Sequence, residues 1–139
     1  MKLVCIDYGK SRIGLASHDA GRTLASPICT VNERFFPLQL KKTAEKLQET
    51  GCDKFIIGLP LNMDGSEGES AALVREFAQK LSEQTEIPYE FIDERLSTVS
   101  AHIALNQADM SGSKKRRKVV DTVAAMILMQ AYLDRNKLN

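Results

Sequence analysis

The order of apolar and polar residues predicts a run of strands followed by an alternation of helices and strands. Three short strands are expected at residues 3–8, 13–17 and 23–28. Polar, glycine-containing breaks separate them, as expected of an antiparallel meander. From Phe36 the apolar spacing becomes helical, with Leu40, Ala44 and Leu47 on the same face, and Gly51 is expected to end this helix.

The second half of the chain continues the alternation. The pattern predicts a strand at residues 54–58, a helix whose inner face carries Val74, Phe77, Ala78 and Leu81, and a fifth strand at residues 89–93. A short helix containing Val99 and Ile103 and a long helix from Lys115 to about Leu133 should follow. We therefore expect an α/β fold in which helices flank a mixed five-stranded sheet.

Composition adds few constraints. A chain of 139 residues is expected to form one domain, residues 1–139. Its three cysteines lack the spacing of a disulfide framework or a thiolate zinc site. The apolar runs are too short to span a bilayer, so we expect a cytoplasmic protein without a membrane partner. The net charge of +1 favours no partner by itself.

Three acidic residues end or interrupt apolar stretches: Asp7, Glu94 and Asp121. A desolvated, unpaired carboxylate costs several kcal/mol, so acids in such places usually hold a cation. If the first and fifth strands are parallel neighbours, their carboxyl ends bring Asp7 and Glu94 to one edge of the sheet. The last helix could then deliver Asp121 to the same edge.

Such a cluster suits phosphodiester hydrolysis. Two divalent ions roughly 4 Å apart activate a water and stabilise the leaving oxygen, and Mg²⁺ prefers hard oxygen ligands of this kind. We expect two ions of Mg²⁺ or Mn²⁺ as the cofactor.

Successive strand residues face opposite ways, so only one of Asp93 and Glu94 can readily join Asp7. Our interpretation makes Glu94 the ligand and leaves Asp93 to support it or to pair with Arg95.

Two of the acids, Asp7 and Asp121, can also be explained by a purely structural role. A single aspartate after a strand, such as Asp7, is most often a turn or cap residue. Asp121 could be an acid favoured near a helix N-terminus, an effect of roughly 0.3–1 kcal/mol. Ala125 and Leu128 nevertheless share its helix face, which directs the Asp121 side chain toward the apolar side.

Two loops have compositions that suit phosphate binding. Residues 7–14 place two glycines and two cations beside the first acid, where the alternative is a simple hairpin turn. Residues 58–66 leave a strand and enter a helix, and Ser66 and Glu69 have capping-box spacing. Helix capping and anion binding remain equal alternatives there.

The strongest indication of a partner is a basic run of five consecutive cations: Lys114, Lys115, Arg116, Arg117 and Lys118. Cations at a helix N-terminus oppose the helix dipole, so a solvated helix start explains them poorly. A polyanion lying across the Asp121 edge explains them better, because lysine and arginine neutralise phosphates and release counterions. A nuclear-targeting peptide is the weaker interpretation, since the run merges into an amphipathic helix.

Four segments together resemble the motifs of the bacterial YqgF family. They are Ile6-Asp7-Tyr8-Gly9 with Arg12-Ile13-Gly14, Gly58-Leu59-Pro60-Leu61-Asn62-Met63-Asp64-Gly65, Asp93-Glu94-Arg95-Leu96-Ser97-Thr98, and Lys118-Val119-Val120-Asp121 with Ala124-Ala125. The resemblance runs from about Lys2 to Leu133 in family order. It implies an RNase H-like fold, Asp7, Glu94 and Asp121 as catalytic acids, and substrate positioning by Arg12, Asn62 and Arg95.

That family is described both as Holliday junction resolvases and as pre-16S rRNA nucleases. The resemblance therefore implies a metal-dependent nuclease for structured nucleic acid, with precursor 16S rRNA favoured and branched DNA as the alternative, and ribosomal particles are a further candidate partner. A resolvase would need a symmetric dimer to cut two strands. A catalytically silent RNA-binding assembly factor is a further alternative. The Asp7-Tyr8-Gly9 segment also resembles the phosphate loop of actin-like kinases, but those place nucleotide between two such domains.

Overall fold

The protein, described here by a computed structural model, has three layers built on one sheet. The structure describes residues 1–19, 25–96 and 113–136, the side chains of 96 and 113–120 excepted. The elements are β1 (Lys2–Tyr8), β2 (Arg12–Asp19), β3 (Ser26–Asn32), α1 (Phe36–Thr50), β4 (Lys54–Leu59), α2 (Glu69–Thr85), β5 (Tyr89–Asp93), a 3₁₀ turn (Glu94–Leu96) and α3 (Ser113–Arg135).

The five strands lie in the order β3-β2-β1-β4-β5. The first three form the expected antiparallel meander, while β4 runs parallel to both β1 and β5. The condition considered above, that the first and fifth strands are neighbours, is not met, because β4 lies between them. Since β4 is parallel to both, the carboxyl ends of β1 and β5 still reach the same edge of the sheet, one strand apart.

Alternation of side chains assigns each strand residue to one of two cores. Ile6 and Ile57 belong to the core between the sheet and helices α1 and α2. Cys5 and Ile56 belong to the second core, with Leu128 of α3. Asp7 and Gly58 each lie two residues beyond a member of the second core, so both are on the sheet face that α3 covers.

The helical predictions for α1 and α2 are confirmed. Gly51 ends α1 in the left-handed region, at φ 66°, and its N–H bonds to the Gln48 carbonyl at 3.2 Å. The prediction for the third strand is wrong: it spans Ser26–Asn32 rather than residues 23–28. Only Val31 of this edge strand is buried, so the strand carries a weak apolar signal, which explains the error.

The last helix is longer than the sequence predicts, spanning Ser113–Arg135. Asp121 therefore lies more than two turns from its start, beyond the reach of the helix N-terminal dipole. The predicted short helix with Val99 and Ile103 lies outside the described residues. Among the residues that the structure describes, no helix is both long and apolar enough to cross a membrane.

Candidate active site

Asp7 lies at the centre of the site, near the end of β1, between two glycines on the neighbouring strands. On one side it pairs with Gly14 of β2. On the other side the last β1–β4 pair joins Ile6 to Ile57, so Gly58 is level with Asp7. Asp7 thus has no side-chain neighbour on either flanking strand at its own level. This leaves space on the α3 face for groups from elsewhere in the chain.

Glu94 fills the space above Gly58. A methyl group at Gly58 would lie 2.9 Å from Cγ and 3.0 Å from Oε1 of Glu94. Glu94 follows β5 in the 3₁₀ turn, and its carboxyl group shares a hydrogen bond with that of Asp7 across β4. The missing side chain of Gly58 is therefore what lets two acids from non-adjacent strands meet.

Helix α3 uses the space above Gly14 in the same way. A methyl group there would lie 2.5 Å from the carbonyl carbon of Asp121 and 3.0 Å from its Cβ. Asp121 is buried, and its Oδ2 lies 3.2 Å from Nε of Arg12. Neither of these two atoms has a partner in hydrogen-bonding geometry. Asp121 thus reaches the site through close backbone contact between helix and sheet.

The three acids share an electrostatic environment that disfavours their charged forms. Burial raises the pKa of Asp7 well above its ordinary value, and the nearby Glu94 and Asp121 raise it further. Burial also raises the pKa of Glu94. The pKa of Asp121 is raised by burial as well, against the opposing effect of the Arg12 guanidinium. A cation placed among these groups would relieve the cost of ionising them.

The donor set fits a hard divalent cation. All candidate ligands are carboxylate oxygens, and Mg²⁺ is usually held by one or two carboxylates together with waters and substrate phosphates. The Asp7 and Glu94 pair meets that requirement, and the Oδ2 atom of Asp121 is buried without a hydrogen bond. Within residues 1–19, 25–96 and 113–136, no three His, Cys, Asp or Glu side chains are grouped closely enough to hold one ion together. Asp121 is instead engaged with Arg12.

Asp93 is separated from this cluster. Its two carboxylate oxygens bind the Arg95 guanidinium, with Nη2 at 2.7 Å and Nε at 3.0 and 3.1 Å, and its Oδ1 accepts the Arg95 backbone N–H at 2.9 Å. These bonds lower the pKa of Asp93. The geometry agrees with our interpretation that Glu94 faces Asp7 while Asp93 pairs with Arg95.

Asn62 lies in the loop that follows β4, where it stabilises a tight turn. Its Nδ2 donates to Ser66 Oγ at 2.9 Å, and its backbone N–H bonds to the Ser66 carbonyl at 2.8 Å. The predicted capping box is wrong, because α2 begins at Glu69 after Gly68 and lacks a side-chain cap. Arg95 reaches this turn, with Nη1 3.4 Å from the Met63 carbonyl. Arg95 therefore links this turn to Asp93, next to Glu94 in the chain.

The basic run lies in the first two turns of α3, N-terminal to Asp121, and its side chains are outside the described part of the structure. The helix brings the backbone of the run toward the sheet edge that carries the acids.

Sequence reasoning missed a buried glutamine that fixes the β1–β2 loop. Gln39 of α1 is only 1 % exposed. Its Nε2 donates to the carbonyls of Lys10 and Glu33 at 2.9 and 2.8 Å and lies 3.4 Å from that of Gly9, while its Oε1 accepts the Tyr8 hydroxyl at 2.7 Å. A polar residue in the buried face of a helix was the available signal. The loop next to Asp7 is thus held in one conformation.

The chain is similar to known proteins along nearly its whole length. A family model described as "RuvX: Holliday junction resolvase" matches residues 1–135. A relative in Rhodobacter capsulatus is 43 % identical over 133 residues, covering 96 % of this chain and 83 % of its own. Another in Moorella thermoacetica is 38 % identical over 135 residues, covering 97 % and 96 %. Both carry the name "Putative pre-16S rRNA nuclease".

The fold is shared with a more distant solved structure. Thermus thermophilus RuvC in complex with a Holliday junction substrate superposes with a TM-score of 0.65 at 10 % identity, covering 100 % of this chain and 98 % of that one. At this identity the similarity concerns the fold alone. It confirms the predicted RNase H-like α/β architecture.

Proposed function

Because the chain belongs to the RuvX family of Holliday junction resolvases, we propose that it is a divalent-metal-dependent endonuclease that matures the 5′ end of precursor 16S rRNA. The family membership makes it a hydrolase acting on phosphodiester bonds. The names of its relatives support ribosomal RNA as the substrate. We assign catalysis and metal binding to Asp7, Glu94 and Asp121.

The observation that carries the proposal is the convergence of these acids over two glycines. Asp7 and Glu94 share a hydrogen bond although β4 separates their strands, and Gly14 admits the backbone of Asp121. Two carboxyl groups that meet in a protein core oppose one another's ionisation, which costs stability. Packing alone therefore does not explain why they meet. Such groups are characteristic of functional sites.

Each residue has a distinct part in the proposed reaction. Asp7 and Glu94 would hold Mg²⁺ or Mn²⁺, with Asp121 completing the negative charge of the site. When bound, the metal supplies a nucleophilic water at neutral pH and neutralises charge on the scissile phosphate. The Arg12 guanidinium, whose side chain is 37 % exposed, lies beside Asp121 and can contact a substrate phosphate. We assign substrate positioning to Arg95 and Asn62, which the Arg95–Met63 contact joins through the turn after β4.

The direct test is cleavage by the purified chain in Mg²⁺ or Mn²⁺, with three substrates in parallel: a precursor 16S rRNA leader, an unstructured single-stranded RNA and a four-way DNA junction. We expect cleavage of the leader at a defined position and little of the other two. Preferred cutting of the junction by a dimer would make the protein a DNA resolvase. Binding of the leader without cleavage of any substrate would instead indicate a non-catalytic assembly factor.

Adding one methyl group at Gly58 should separate catalysis from stability. Gly58→Ala would push the Glu94 carboxylate away from Asp7, and a misplacement of about 1 Å can cost roughly a hundredfold in rate. The methyl group would also lie 2.9 Å from Cδ1 of the buried Leu128, but all the displaced atoms belong to side chains, so the loss of stability should be smaller than for a clash with backbone. Cleavage rate and melting temperature should be measured on the same preparation.

Gly14→Ala is the matched control for that experiment. Its methyl group would meet the backbone of Asp121, so the helix itself must move, at a cost of about 1–3 kcal/mol in stability. We therefore expect Gly58→Ala to lose activity with a near-normal melting temperature and Gly14→Ala to lose stability. Full activity in Gly58→Ala would remove Glu94 from the metal site.

The basic run should contribute to affinity rather than to chemistry. Replacing Lys114, Lys115 and Arg116 by glutamine should weaken binding to RNA and DNA alike and reduce the salt slope by about one unit per lost phosphate contact. Stability should stay equal or rise, because these cations oppose the α3 dipole. Titrations at several salt concentrations and a melting curve measure both effects.

The matched control for the basic run carries the same charge change on α1, across the sheet from α3: Lys41, Lys42 and Lys46 replaced by glutamine. It should leave the salt slope unchanged. An equal effect of both triple variants would mean that net charge, rather than the basic run, attracts the nucleic acid.

A further inference from the structure

A cavity of about 240 Å³ lies beside Glu94, on the side of the sheet that α1 and α2 cover. Its lining includes Tyr8 at the end of β1 and Lys10 in the loop after it. Pro60 after β4 and Leu73 of α2 line it as well. Glu94 is also part of the lining, so the cavity and the candidate metal site share this residue.

The walls of the cavity are firmly positioned. The Tyr8 hydroxyl and the Lys10 carbonyl are both bound to the buried Gln39. The Tyr8 ring also packs on Phe77 of α2, with centroids 4.5 Å apart. Pro60 has a restricted backbone, and Leu73 stands on a regular helix. The cavity is thus largely formed before a substrate arrives.

The dimensions and chemistry of the cavity fit a flat heterocycle. It is smaller than the roughly 300–1,000 Å³ of pockets for drug-sized ligands, but much larger than the roughly 30 Å³ share of a water molecule. Its walls are mainly apolar, with the tyrosine ring on one side. Ser70 and Lys10 are polar residues of its lining. Nucleobases combine an apolar face with polar edges in this way.

We propose that this cavity binds one unstacked nucleobase next to the scissile phosphate. The inference rests on the proposed nuclease function and deepens it, because Glu94 joins the cavity to the site where the phosphate would be cut. A base that enters the cavity must leave its helical stack. The substrate class is therefore a nucleic acid with an unpaired nucleotide at the cleavage position, and a continuous duplex is a poor substrate.

The test combines an abasic nucleotide with a cavity-filling mutation. Removing the base at successive positions of the precursor leader should slow single-turnover cleavage at one position flanking the cut, by about 5-fold to 100-fold, the range expected for one stacked base. Leu73→Phe should slow cleavage of the intact substrate to a similar extent. The two changes should not add, because each removes the same contact.

Two further variants isolate the cavity. Leu38→Phe makes the same substitution at a partly exposed position of α1 and should leave cleavage and abasic sensitivity unchanged. If Leu73→Phe lowers the melting temperature substantially, Leu73→Ala takes its place, because it removes the same wall contact without crowding. The proposal is overturned if no single position is sensitive to base removal, or if the abasic and Leu73 effects multiply.

A binding measurement separates this proposal from the nuclease function. The Asp7→Asn protein is titrated with leader RNAs that each carry 2-aminopurine at one position, moved stepwise along the leader. Emission should change at one position only, and the Leu73→Phe mutation should abolish the change. That result supports the cavity even if the wild-type protein cleaves nothing. Cleavage together with an unchanged 2-aminopurine signal would reject the cavity and retain the nuclease.

Discussion

Asp7→Asn is expected to abolish cleavage while the fold persists. Asp7 is the central acid, in contact with Glu94 and within electrostatic range of Asp121. An amide removes the charge that would hold the metal, and metal-ion catalysis supplies several kcal/mol of transition-state stabilisation, equivalent to roughly a thousandfold in rate or more. Single-turnover cleavage of the precursor leader at saturating Mg²⁺ measures the loss.

The same substitution should raise the melting temperature of the metal-free protein. The pKa of Asp7 is higher in the folded chain than its ordinary value, so folding disfavours the ionised form. The resulting destabilisation is absent below the ordinary pKa and develops as pH rises toward the raised value. At neutral pH the Asp7→Asn protein avoids it. Added Mg²⁺ should narrow the difference by stabilising only the wild-type protein.

Glu83→Gln is a suitable control, since it removes one acid from an exposed position of α2. It should change neither activity nor the response of stability to Mg²⁺. An Asp7→Asn protein that cleaves at the wild-type rate would exclude Asp7 from the active site. A melting temperature unchanged by the substitution and by Mg²⁺ would show that the acids are not under electrostatic strain.

The acids could be found from the sequence because each interrupts a local pattern. Asp7 follows an apolar strand, and Asp121 lies on the apolar side of its helix, so burial is implied before any tertiary contact is known. Alternation along the fifth strand indicated that only one of Asp93 and Glu94 can readily join Asp7, without deciding which. These signals depend only on neighbouring residues, and the corresponding geometry agrees with them.

The order of the strands could not be deduced in the same way. A chain that alternates helix and strand is compatible with several orders, and the placement of β4 between β1 and β5 depends on contacts across the whole sheet. For the same reason, the roles of Gly14 and Gly58 could not be predicted from the sequence. Both glycines lie in segments whose composition suits phosphate binding. In the structure, however, Gly14 leaves room for Asp121, and Gly58 leaves room for Glu94. Only the strand register reveals that Asp7 lies between them.

The structural role of Gln39 could not be predicted from the sequence for a related reason. Its partners, at Tyr8, Lys10 and Glu33, are distant in sequence or belong to the backbone. An isolated polar residue on a helix face does not indicate which loop it will bind. Its role follows from the packing of α1 against the end of β1.

The neighbouring acids Asp93 and Glu94 should respond to neutralisation in different ways. Glu94→Gln should reduce cleavage by orders of magnitude and weaken Mg²⁺ binding, because it neutralises a carboxylate beside Asp7 that we propose as a metal ligand. Asp93→Asn loses the Arg95 ion pair and should reduce the rate only about 10–100-fold, through the orientation of the turn that carries Glu94.

Their effects on stability should differ in sign as well. The pKa of Glu94 is raised by burial, so Glu94→Gln should stabilise the metal-free protein at neutral pH. Arg95 lowers the pKa of Asp93, so the charge of Asp93 stabilises the fold above the ordinary pKa of an aspartate. Asp93→Asn should therefore lower the melting temperature slightly.

Melting curves, Mg²⁺ titrations and cleavage rates of the two variants decide the assignment. Equal and complete loss of activity from both would mean that Asp93 also acts on the metal or the substrate, and that the strand-end geometry does not separate their roles.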